Sequence, residues 1–102
     1  MSRRILPQRR MSLTFDLVFK NQLVSITAGF FPNGDLGEVF IDVGKTGADI
    51  QSITHDAAVV VSIAIQCGAS ISELHHAVLR DANGAPVSVI GAILDGLMHI
   101  RP

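Results

Sequence analysis

"GEVFIDVGKTGADI", residues 37–50, is where the chain changes period. Residues 38–43 alternate, with Val39, Ile41 and Val43 on one side and Glu38, Phe40 and Asp42 on the other, the pattern of a half-buried strand. From Asp49 the apolar residues recur at helical intervals: Ile50, Ile53, Ala57, Val60, Val61, Ala64 and Ile65. Asp49 reads as the N-cap of a helix over 49–67, with Gly68 as its C-terminal cap. Gly44, Lys45, Thr46 and Gly47 must therefore turn the chain from strand to helix.

A strand, a glycine loop and a helix start also make a phosphate-binding loop, if the full G-x-x-x-x-G-K-[ST] spacing is present. Gly44-Lys45-Thr46 matches its end, but the leading glycine falls on Val39, inside the strand. So short a loop does not wrap a diphosphate. What remains is Lys45, Thr46 and Gly47 beside the first N–H groups of a helix, a general anion site. The plainer alternative is that the glycines only turn the chain.

Before this stretch two more strands are legible. Phe15, Leu17 and Phe19 alternate with Thr14, Asp16, Val18 and Lys20; after a turn at Asn21-Gln22, Val24, Ile26, Ala28 and Phe30 repeat the pattern. "FPNGD", residues 31–35, supplies the proline and Asn-Gly of a second tight reversal. Three strands with short connections make an antiparallel meander.

After it, "AAVVVSIAI" is apolar nearly all round, as in a helix buried on more than one side or across a dimer interface. Ser70 with Glu73 is a capping box for a second helix to about Arg80, with Ile71, Leu74, Val78 and Leu79 as its packing residues. Ser88 caps a last helix burying Ile90, Ile93, Leu94 and Leu97, weakened by Gly91 and Gly96. The expected fold is α+β: a three-stranded antiparallel β-meander packed against about three α-helices, with the apolar helix 49–67 central.

A chain of 102 residues holds one domain with a modest core. Residues 1–11 read as a flexible basic arm, broken by Pro7, and residues 12–102 as the domain. The net charge of −1 conceals an asymmetry, because Arg3, Arg4, Arg9 and Arg10 are four of the eight basic residues and all nine acidic ones come later. Four cations on an arm can reach phosphates, so a small nucleic-acid or nucleotide binder is the alternative reading. No aromatic lies among the arginines to stack bases, and they serve equally to dock on an acidic neighbour.

Catalytic patterns are missing from the sequence. His75 and His76 point about 100° apart on a helix, and with His55 and His99 they form no metal-ligand spacing, so surface or capping roles are expected. Cys67 alone makes no internal disulfide and reads as a structural thiol, in keeping with the cytoplasm. No apolar run reaches the roughly 18–20 residues of a membrane span. The expectation is no catalytic residue, no metal and no cofactor. The aliphatic surplus, 48% of residues against 17% charged, favours a homodimer.

The chain resembles the TSCPD family, best known as the C-terminal region of adenosylcobalamin-dependent, class II ribonucleotide reductases and also found as stand-alone bacterial proteins. The likeness lies in Asn33-Gly34 followed by Gly37-Glu38-Val39-Phe40-Ile41, in the Lys45-x-Gly47 loop, and in "SIAIQCGASISEL" at 62–74, which is similar to the family's Ser-Leu-Ala-Leu-x-x-Gly stretch. It covers roughly residues 13–80. The resemblance implies a non-catalytic binding or regulatory module acting through protein contacts, with a ribonucleotide reductase as one possible partner. The reductase's radical and cobalamin chemistry belongs to a large barrel, its redox relay to a cysteine pair, and the chain contains only Cys67 and no Thr-Ser-Cys-Pro-Asp string.

Overall fold

The computed structural model describes residues 2–44 and 47–100. Strands β1 (Ser12–Phe19), β2 (Gln22–Phe30) and β3 (Leu36–Asp42) form an antiparallel sheet in the order β1-β2-β3, and helices α1 (Ala48–Gln66), α2 (Ile71–Ala77) and α3 (Val89–Leu97) follow. This is the expected α+β architecture. Phe15, Ile26 and Ile41 align across the sheet, as do Ala28 and Val39. That face is covered by Val61 and Ile65 of α1 and by Ile93, Leu94 and Leu97 of α3, which close the core on Val24, Ile26 and Phe30.

The first reversal falls one residue earlier than the sequence suggests. Lys20 and Asn21 take φ of 48° and 65°, the two-residue hairpin turn whose twist matches the strands. Gln22 is thereby released into β2, and its Nε2 donates to the Val43 carbonyl at 2.7 Å. The second reversal is as expected: Gly34 has φ of 92°, and Asn33 Oδ1 accepts from the Asp35 N–H at 3.0 Å.

Helix α1 is turned about its axis relative to expectation. Thr54, Ala58, Val61, Ile65 and Gln66 are buried, whereas Ile53 and Val60 are 70% and 66% exposed. The cause is the free edge of β3, along which α1 lies. Ser62 Oγ accepts from the Val39 N–H at 2.9 Å, and Gln66 Nε2 donates to the Gly37 carbonyl at 2.7 Å. These two polar residues, one turn apart, satisfy main-chain groups that point away from β2, and the apolar stripe rotates with them.

At its start α1 is capped by Gly47 rather than Asp49, which sits in the first turn. Helix α2 has the expected capping box but ends at Ala77, because Val78 turns extended and Arg80 pairs with Pro86. Leu79 is therefore exposed. The glycines of α3 permit close packing: a Cβ on Gly91 would lie 3.0 Å from Pro86 Cβ, and one on Gly96 3.2 Å from the Phe15 ring.

Candidate functional site

Of the loop candidates, Lys45 and Thr46 lie outside the described residues. Gly47 is the N-cap of α1, and its carbonyl accepts from Ile50 and Gln51 N–H at 3.1 and 3.2 Å. The approach to the loop is braced on both sides. Gly44, at φ of 70°, donates its N–H to Asp42 Oδ1 at 2.8 Å, and Gln51 Nε2 donates to the Gly44 carbonyl at 2.5 Å. Val39, where a phosphate loop needs its first glycine, is buried within β3.

Three of the four arm arginines meet the body. Arg3 Nε donates to Gln66 Oε1 at 2.6 Å, and the Arg4 N–H donates to the Gln66 carbonyl at 2.8 Å. The Arg4 guanidinium lies 3.7 Å from the centre of the Phe31 ring and 3.3 Å from Asp35. Arg10 holds Glu38 through two nitrogens, which raises its already high pKa, chiefly by that hydrogen bond. Arg9 is exposed. Phe31 is thus covered by the arm's Arg4, while Phe40 on the other face of the sheet is 56% exposed.

The largest unspent feature is apolar. Ile50, Ile53 and Val60 lie exposed along one side of α1, and Val59 and Ile63 along another. Ile50 and Ile53 also line a groove of about 430 Å³ with Phe19, Val43, Val87 and Val89, with Lys20 at its rim. Solvated helices rarely leave so continuous an apolar stripe uncovered.

One cluster escaped the sequence reading. Arg80 donates to both Asp95 oxygens, at 2.6 and 3.3 Å, and His75 Nδ1 lies 2.7 Å from the nearer one. Arg80 also donates to the His75 and Gly84 carbonyls at 3.1 and 3.2 Å, so it pins α2, the 81–86 loop and α3 together. No local motif announces this, since the partners are brought together by the helix ends. Donation from Arg80 holds the Asp95 carboxyl below its ordinary range, against partial desolvation and with smaller help from the Arg80 and His75 charges.

A carboxyl with a depressed folded pKa stabilises the fold above its unfolded pKa, and that stabilisation is lost as the pH falls through the folded value. Asp95→Asn should therefore be less stable than wild type near neutral pH. The deficit should shrink below about pH 4, where the unfolded carboxyl takes up its proton. Urea unfolding at several pH values tests this, and a deficit of constant size across the acid limb would remove Asp95 from the account.

Among the described residues no group of three His, Cys, Asp or Glu side chains could hold a metal ion, and every buried side-chain nitrogen or oxygen has a partner. Nor, among the described residues, is any helix long and apolar enough to cross a membrane. The fold and its surfaces define a small α+β module whose outward chemistry is an apolar helix face and a set of charge pairs. Over 68 residues, 67% of the chain, it is 35% identical to the vitamin B12-dependent ribonucleotide reductase of Bradyrhizobium diazoefficiens and 32% identical to that of Agrobacterium fabrum. In each case the chain spans only 5% of the reductase, so it is related to a small region of these enzymes, and the rest of each enzyme is unmatched. No family model matches the chain, and no solved structure matches it.

Proposed function

We propose that the chain is a non-catalytic binding or regulatory module of the TSCPD type, acting in the bacterial cytoplasm through protein contacts, as an accessory domain of a vitamin B12-dependent ribonucleotide reductase would. The observation that carries this reading is the confinement of the likeness to 5% of the reductase. Function is argued from sites rather than folds, and here the surface best suited to a partner is the exposed side of α1, with Ile50, Ile53 and Val60. The arm is less well disposed toward nucleic acid, because Arg4 and Arg10 would first have to leave Asp35 and Glu38.

The test is affinity capture of the tagged chain from its own host. A large cobalamin-binding reductase should co-purify, and the double variant Ile53→Asp, Val60→Asp should lose most of it by placing charge in an apolar contact. An eluate without the reductase, at native expression of both proteins, overturns the proposal.

A further inference from the structure

The two edges of the sheet are treated differently. On β3 the outward Gly37 carbonyl is met by Gln66, and the outward Val39 N–H and carbonyl by Ser62. On β1 the phase of the ladder follows from the register and from the Phe30 N–H donating to the Met11 carbonyl at 3.0 Å. Odd-numbered residues bond to β2, so Ser12, Thr14, Asp16 and Val18 turn their N–H and C=O groups away from the sheet. No described residue donates to them or accepts from them. The strand holds no proline, lysine or bulge, and Asp16 is its one charge among the usual blocks to further pairing.

Beneath this edge the core is unfinished. Val24 and Ile26 of β2 are fully buried, whereas Phe15, Leu17 and Phe19 of β1 are half-buried and Leu13 is exposed.

We infer that β1 pairs antiparallel with β1 of a second copy, joining two sheets into one of six strands. This rests on the reading that the chain works through protein contacts, and it names one of the partners. A second copy is the occupant because the strand is complementary to itself. A two-fold axis at Asp16 would set two carboxylates opposite each other, but an axis at Phe15 avoids this. It keeps the even-numbered residues in hydrogen-bonding positions and sets each Asp16 opposite a Thr14. It also places Phe15 beside its copy and Leu13 beside Leu17 on the core side. Cross-strand neighbours of this kind are the unit of sheet stability.

The register makes the test specific. In sedimentation of the full chain over a wide concentration range, wild type should dimerise. Thr14→Asp opposes Asp16 twice, once on each side of the axis, and should raise the dimer dissociation constant about tenfold. Thr14→Lys supplies the opposite charge and should lower it. Thr14→Pro removes an outward N–H and, as in the other two variants, the hydroxyl that pairs with Thr27 Oγ1 at 3.0 Å, but no bond of the ladder to β2; it should abolish the dimer while the circular dichroism stays that of the folded chain. A monomeric wild type, or a dimer indifferent to all three changes, overturns the inference, and either result leaves reductase capture through α1 standing on its own test.

Discussion

Phe30→Ala should lower the free energy of unfolding by about 3–5 kcal/mol, the range for emptying a large aromatic site in a packed core. Phe30 is 1% exposed and packs in the core where sheet, α1 and α3 meet, so its removal leaves a cavity that three elements must collapse to fill. Ten residues on, Phe40 points from the other face of the same sheet and is 56% exposed. Phe40→Ala should change stability by less than about 0.5 kcal/mol. Urea unfolding of both variants, with the slope checked for constancy, measures the contrast. For a domain of this size the core variant should also melt lower, by about 4–8 °C per kcal/mol. Similar losses at the two positions would mean that the sheet's outer face is covered.

The second large effect is expected at Gln66. Its amide is buried, giving a hydrogen bond to Gly37 and accepting one from Arg3, so leucine of similar size would leave a buried carbonyl unpaired. The cost should be about 1–3 kcal/mol. Ser62→Ala removes the partner of the Val39 N–H instead. Hydrogen exchange separates the two: the Val39 amide should exchange faster in Ser62→Ala and only slightly faster in Gln66→Leu. A stable, slowly exchanging Gln66→Leu variant would show that the edge of β3 is held by apolar packing alone.

Much of the fold could be read from period and turn chemistry. The alternation in 14–19 and 38–42, the Asn33-Gly34 reversal, and the caps at Ser70 and Ser88 each appear where the residues place them, with Lys20 drawn into the first turn and Val43 beyond the end of β3. What could not be read depends on contacts far apart in the chain. The apolar stripe legible in α1 is Ile50, Ile53, Ala57, Val60, Val61, Ala64 and Ile65; Val61 and Ile65 are buried as it implies, but Ile50, Ile53 and Val60 are exposed because the helix turns to serve the edge of β3. The only local hint is the pair Ser62 and Gln66, polar residues one turn apart in an apolar run. Likewise Arg80, His75 and Asp95 carry no shared motif and meet only because α2 stops at Ala77. Gly91 and Gly96 look like defects in a helix until Pro86 and Phe15 are seen against them. At the candidate loop, the sequence could exclude a phosphate loop through Val39 but had no means of naming a ligand.

The unequal edges also limit how far association can go. A sheet that pairs through an open strand can in principle keep adding copies, as fibres do. Here the far side of each sheet is occupied by the chain's own Ser62 and Gln66, so a pair joined at β1 presents two closed ends. If the chain pairs through β1 as inferred, growth would stop at two, and loosening the grip of α1 on β3 should turn a closed pair into a polymerising one.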